Sequence, residues 1–278
     1  MKTTQSELIH SLHPSNGPMD FSIDVRESNG LRTLHFDKRW MQGAMRITRP
    51  WDLELEYTQV MMACLLMRDE NRFPRNILLI GLGAASLTKF LYRNCPLAHL
   101  TVVEIDARVV DVAREHFGLP DDPVRLNMVI GDGVDYMKAS DQTFDLILVD
   151  GFNEHAHPGD LNTLPFYQAC RSRLSDEGLL VVNLIGLSHG IKGGFADIES
   201  AFEDRALMFP KCKSGNTIAF AATAGVINIS LDELKKKSLV FEQRTGLALL
   251  PTLTRLELMG PSTVGWGELA NPSALGVT

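Results

Sequence analysis

The sequence predicts an α/β fold: a Rossmann-like, doubly wound, mostly parallel sheet with a small N-terminal antiparallel β region. Short apolar runs recur through residues 76–223 with helical stretches between them, each long enough for a crossover. Runs such as Ile77-Leu78-Leu79-Ile80 and Leu146-Ile147-Leu148-Val149 do not alternate, as expected of parallel strands covered on both faces. The first fifty residues do alternate, around an Asn29-Gly30 pair.

Taken in chain order, Phe21, Ile23 and Val25 alternate with polar residues, and Leu31, Thr33 and His35 resume after Asn29-Gly30, which predicts a hairpin within a β region at 1–50. Over 51–75, Tyr57, Val60, Met61, Cys64, Leu65 and Met67 follow a three-to-four spacing, which predicts a helix stopped by Phe73-Pro74. Strands are expected at Asn76–Ile80, Leu100–Glu104, Leu126–Ile130, Phe144–Asp150, Gly178–Leu184 and Thr217–Thr223, in a nucleoside-binding unit spanning 51–223. A C-terminal extension, 224–278, opens with the capping-box spacing Ser230-Leu231-Asp232-Glu233, which starts a helix through Lys237 and Phe241. It closes in a Gly-, Pro- and Ser-rich tail.

Composition narrows the function. Hydrophobic residues make up 45% and charged residues 22% of the 278, which excludes a disordered chain and a collagen-like one. No apolar run reaches the roughly 20 residues of a membrane span. The opening MKTTQSELIHSLHPSNG has no continuous apolar stretch and is not read as a secretory signal. Cys64, Cys95, Cys170 and Cys212 lack CxxC spacing and read as reduced thiols of a cytoplasmic protein. The net charge of -7 argues against a nucleic-acid partner, which would need concentrated Lys and Arg, and says nothing against a small cationic one. His155 and His157 stand two apart with no third ligand nearby, so no metal is expected. Ser188-His189-Gly190 has no acid at triad spacing.

Ligands of an open α/β sheet bind beyond the carboxyl ends of its strands, so the residues there carry the functional reading. The first strand ends in Gly81-Leu82-Gly83-Ala84-Ala85-Ser86, a turn where two glycines let the backbone approach a ligand, although Ser86 stands where GxGxxG has its third glycine. Glu104 ends the second strand, 23 residues after Gly81, where a carboxylate can accept from both ribose hydroxyls. A helix cap is the plainer role, and Asp106 could fill it. Asp132, between Gly131 and Gly133, can accept from an adenine amino group or cap the following helix. Asp150 ends the fourth strand. A dinucleotide dehydrogenase explains the glycines and Glu104 but does not ask for both Asp132 and Asp150. A sulfonium nucleoside, S-adenosylmethionine or its decarboxylated form, accounts for all four positions.

The small β region, LELEYTQ at 53–59, LIGLGAAS, VVEID, VIGDG and FDLILVD together resemble the spermidine synthase (polyamine aminopropyltransferase) family, within the methyltransferase-like fold, over roughly residues 20–223. The resemblance implies a β-stranded region followed by a Rossmann-like domain, frequent dimers, and transfer of an aminopropyl group from decarboxylated S-adenosylmethionine to a small amine. It implies that Asp150 holds the acceptor ammonium and handles its proton while Tyr57 positions the amine. Glu104 would hold the ribose, Asp132 with Gly133 the adenine, and Gly81 and Gly83 would approach the donor's chain. Asn153, Glu154 and Asp160 fall in the family's loop over the substrate.

The pattern departs from the family in three places. Ala84 stands where the glycine loop carries an acid toward the donor's amine, Asn153 replaces a second acid after Asp150, and Thr58 replaces the Gln after the tyrosine. Two other readings therefore stay open: a methyltransferase using ordinary S-adenosylmethionine, with space left at Ala84 for its carboxylate, and a non-catalytic nucleoside-binding protein.

Overall fold

Asn29 and Gly30 both take left-handed backbone angles, φ 52° and 71°, so the chain reverses within two residues and pairs Ser28 with Leu31. The computed structural model describes residues 7–12, 21–37, 40–68, 74–153, 155–186, 188–223 and 230–259. The hairpin belongs to a four-stranded antiparallel sheet of β1 (Glu7–Leu12), β2 (Ile23–Ser28), β3 (Leu31–Phe36) and β4 (Trp40–Arg46), in that order. Ile23, Val25, Leu34 and Phe36 are buried against the rest of the molecule.

The helix expected over 51–75 is shorter and changes pitch. An α-helix, α1 (Glu56–Met61), tightens into a 3-10 helix at Met62–Leu66 and ends at Met67, well before Pro74; Phe73 lies outside the described residues. Met62 through Leu66 are all buried. A segment enclosed on every side has no polar face, so its periodicity could not reveal the pitch.

Seven strands form the second sheet: β5 (Asn76–Ile80), β6 (His99–Glu104), β7 (Leu126–Ile130), β8 (Phe144–Val149), β9 (Leu174–Leu184), β10 (Ala206–Met208) and β11 (Thr217–Ala222). Their order is β10-β11-β9-β8-β5-β6-β7, with β9 through β7 parallel and β11 and β10 antiparallel at one edge. β9 starts four residues earlier than the apolar run suggests, because Leu174 pairs with Phe144 before the irregularity that precedes Leu146. Strand order reverses between β5 and β8, so the switch point lies where Gly81 and Asp150 leave their strands.

Helices α2 (Ser86–Asn94), α3 (Ala107–Phe117), α7 (Leu231–Thr245) and α8 (Leu250–Met259) contribute to one buried cluster together with the antiparallel sheet and α1. Helices α5 (Leu164–Ser172) and α6 (Ser188–Phe202) cover the other face through Phe166, Tyr167, Ile198 and Phe202, with α4 (Gly133–Ala139) beside them. Ser230 caps α7, accepting from Glu233 N as its spacing predicts. The expected tail lies outside the described residues. Among those described, no helix is long and apolar enough to cross a membrane.

The antiparallel sheet is fastened to the parallel one by cations. Arg108 on α3 stacks over the Phe21 ring at 5.0 Å and donates to Phe21 O at 3.1 Å. Lys89 on α2 is buried, and its ammonium donates to Pro50 O and Phe117 O, both at 2.6 Å, and to Met45 Sδ at 3.1 Å. Burial without a carboxylate partner in these contacts pulls the Lys89 pKa down to about 8. One amine thus joins β4, the segment behind it and the end of α3.

Candidate active site

Gly81 opens the turn after β5 at φ 96°, and a Cβ there would overlap Asp150 O across the switch point. Gly83, at φ 51°, leaves Gln42 O of β4 only 3.0 Å from where its Cβ would stand. Both glycines are therefore required by protein backbone that passes close by. Ala85 takes a third left-handed position, φ 56°, as N-cap of α2, at a cost of about 1 kcal/mol.

Ala84 faces the antiparallel sheet. It is 2% exposed, and a Cβ on Gly43 of β4 would overlap its methyl. The space that an absent acid was expected to leave for a donor carboxylate is filled by β4. That removes the physical motive for reading Ala84 as an adaptation to ordinary S-adenosylmethionine.

Glu104 ends β6 and points under the glycine turn, where its Oε2 accepts from Leu82 N at 2.9 Å and its Oε1 from Asp106 N at 3.1 Å. Burial raises its pKa, with these amide bonds opposing the rise. The Ile105 amide also contributes, so three backbone amides surround this carboxylate and leave it limited acceptor capacity toward a ribose. The helix cap falls to Asp106, which accepts from Arg108 N at 2.9 Å and pairs with its guanidinium.

Asp132 caps α4, with its Oδ1 accepting from Val134 N at 2.8 Å and Asp135 N at 3.1 Å. The side chain is exposed, and its Oδ2 makes no hydrogen bond among the described residues. Gly133 is buried, and a Cβ there would overlap Ile80 and crowd Leu161, which also fills the space beside Gly151. Leu161 belongs to a 3-10 turn at Gly159–Asn162. An apolar side chain thus lies beside the turns at Gly133 and Gly151 that follow two of the strands.

Asp150 has different surroundings. The parallel register sets Val149 beside Val182, which brings Asp150 next to Asn183 at the end of β9. Asn183 Nδ2 donates to Asp150 Oδ1 at 2.7 Å, and Tyr57 OH donates to Oδ2 at 3.2 Å. Loss of water around the carboxyl raises its pKa to about 6, with Asn183 and then Tyr57 opposing. The Tyr57 pKa is raised well above its ordinary value by burial and by the Asp150 charge, so the phenol stays a donor. Tyr57 and Asp150 both keep partial exposure. The result is a carboxylate fixed by both oxygens, ionised at neutral pH, and more basic than a solvated aspartate. Such a group can hold a cation and accept its proton.

The loop after Asp150 is built by Asn153, whose Oδ1 accepts from His155 N and His157 N, both at 2.9 Å. Asn153 and Asp160 are exposed, and Glu154 lies outside the described residues. Among the described residues, no group of three or more His, Cys, Asp or Glu could hold a metal ion. Sequence reasoning missed Asn183. Its one available signal was a lone amide closing the apolar run Leu179-Leu180-Val181-Val182.

The chain is similar to known proteins over most of its length. Residues 54–184 match the family model of the spermine/spermidine synthase domain. A polyamine aminopropyltransferase of Chromobacterium violaceum is 31% identical over 243 residues, covering 87% of this chain and 92% of that protein. The spermidine synthase structure from Thermotoga maritima superposes with a TM-score of 0.68 at 19% identity, covering 90% of this chain and 83% of that one. A spermidine synthase bound to the transition-state analogue AdoDATO gives 0.67 at 21% identity, covering 91% and 89%.

Proposed function

Because the chain belongs to the polyamine aminopropyltransferase family, we propose that it transfers the aminopropyl group of decarboxylated S-adenosylmethionine to a small amine, with Asp150 as base and Tyr57 as positioning donor. The observation that carries this reading is the Asp150 carboxyl itself, held by Tyr57 and Asn183 at the switch point with a pKa near 6.

An acceptor amine enters as an ammonium with a pKa near 10. The Asp150 carboxylate attracts it, and the Tyr57 oxygen offers a lone pair for a second N–H. One proton passes to Asp150, freeing the nitrogen lone pair. Raising the carboxyl from its ordinary value to about 6 narrows the gap to the ammonium by about 3 kcal/mol. The amine then attacks the methylene beside the sulfonium. The new C–N bond forms as the C–S bond breaks, its electron pair moves to sulfur, and methylthioadenosine leaves. Alignment of nitrogen, carbon and sulfur supplies much of the remaining acceleration.

On the nucleoside side, the remaining acceptor capacity of Glu104 would serve the ribose, Asp132 Oδ2 the adenine amino group, and Leu161 would offer the base an apolar wall. Asp160, exposed on the 3-10 turn, would meet the acceptor as it enters. Incubation with both sulfonium donors and a panel of diamines tests the reading. Methylthioadenosine is the expected product. S-adenosylhomocysteine would mean methyl transfer, and neither product with any acceptor would leave a binding protein.

A further inference from the structure

A hydrogen-bonded chain continues behind Asp150. Asn183 Oδ1 accepts from Asn216 Nδ2 at 2.9 Å, and Asn216 Oδ1 accepts from Ser214 Oγ at 2.5 Å. Asn183 and Asn216 are 3% and 5% exposed, whereas Ser214 is at the surface. The antiparallel register of β9 and β11, which pairs Ile218 with Asn183, holds the two amides together.

Each orientation follows from the one before. A carboxylate rejects an amide oxygen, so Asn183 must turn its Nδ2 toward Asp150. Its Oδ1 then faces Asn216, which must offer Nδ2 in turn. The Asn216 oxygen is left needing a donor, and the Ser214 hydroxyl supplies it. Three donor dipoles thus point the same way, toward the negative charge, and each bond polarises the next.

The outer end of the chain returns to the helix that carries Tyr57. Lys213 N, next to Ser214, donates to Glu56 Oε2 at 2.8 Å, and Arg255 of α8 pairs with Glu56 Oε1 at 2.9 Å. The ring closes through Tyr57, Asp150, Asn183, Asn216, the 213–214 turn and Glu56.

We propose that Ser214 and Asn216 are positioning residues that act through Asn183 to orient the Asp150 carboxylate and stabilise its charged form. The kinetic consequence rests on Asp150 being the base of the proposed transfer. The electrostatic consequence does not. The titratable group bonded to Asp150 is Tyr57 of α1, and the β9 partner Asn183 is uncharged. At the far end of the chain, Glu56, Lys213 and Arg255 carry charge.

The test is carboxyl 13C NMR titration of the full chain labelled at aspartate, with the Asp150 signal assigned by its loss in Asp150→Asn. Ser214→Ala should raise the Asp150 midpoint by about half a pH unit and Asn216→Ala by about one unit, since each removes a donor from the line to the anion. Ser214→Thr restores the hydroxyl and should restore the midpoint. In turnover assays the acidic limb of kcat/KM should move by the same amounts, while the KM of the sulfonium donor stays put. An unchanged midpoint in folded Ser214→Ala overturns the proposal. Ser214 is exposed, so this variant decides the matter even where Asn216→Ala fails to fold. Should the chain transfer nothing, the NMR midpoints still decide, which separates the two readings.

Discussion

Two groups of acids line the carboxyl edge of the sheet, and they are held in opposite ways. On the β5–β7 side, Glu104, Asp106 and Asp132 bind backbone amides within a few residues or across one strand. On the β8 side, Asp150 binds only side chains through its carboxylate, from positions 93 and 33 residues away. Amide-bound carboxylates brace turns and helix ends. A carboxylate held by a phenol and an amide side chain braces no backbone and is raised to about 6 by its surroundings. The side that builds the fold and the side proposed for proton chemistry therefore differ in whether the carboxylate accepts from backbone amides.

The sharpest way to break this comparison is Asp150→Asn. Turnover should fall by about three orders of magnitude or more with donor affinity within a few-fold, since the proposed general base would be lost and no backbone bond with it. Stability should move the other way. The folded carboxyl keeps its proton between pH 3.8 and about 6 where the unfolded one loses it, so its contribution is complete below pH 3.8 and is lost as pH rises through 6. Asp150→Asn should therefore gain up to about 3 kcal/mol at pH 8 and only about half a kcal/mol near pH 4. Denaturant unfolding at the two pH values measures this. A loss of stability at pH 8 would put Asp150 among the bracing acids.

Tyr57→Phe comes next. Removing the donor to Oδ2 should lower kcat by about ten- to a hundred-fold and move the acidic limb of the pH–rate profile upward, because Tyr57 opposes the rise of the Asp150 pKa. Glu104→Gln tests the bracing side. An amide NH2 would face either Leu82 N or Asp106 N, so the variant should lose about 1–3 kcal/mol and melt several degrees lower, with a raised donor KM. The smallest effect separates two roles in one residue. Asp132→Ala should cost about 1 kcal/mol through the lost cap, whereas Asp132→Asn keeps the cap and the Tm while raising donor KM.

The bracing side was also the legible side. Asp106 and Asp132 cap helices that begin beside them, and Ser230 does the same for α7, so local spacing suffices to find them. The bounds of β5 and β7 match their apolar runs for the same reason. Asn183 and Asn216 were not legible, because their meaning depends on β8, β9 and β11 lying side by side. The pitch change after Met61 was hidden by uniform burial. The close fit at Ala84 was hidden because its counterpart, Gly43, lies in a different sheet.

That fit restricts how the chain can change. With hydrogen on one side and methyl on the other, neither residue can grow unless the strand and the turn separate. Attempts to graft an acidic donor-recognition loop onto this scaffold would have to begin forty residues upstream, by redrawing β4. Compatible substitutions at 43 and 84 should then arise only as a matched pair.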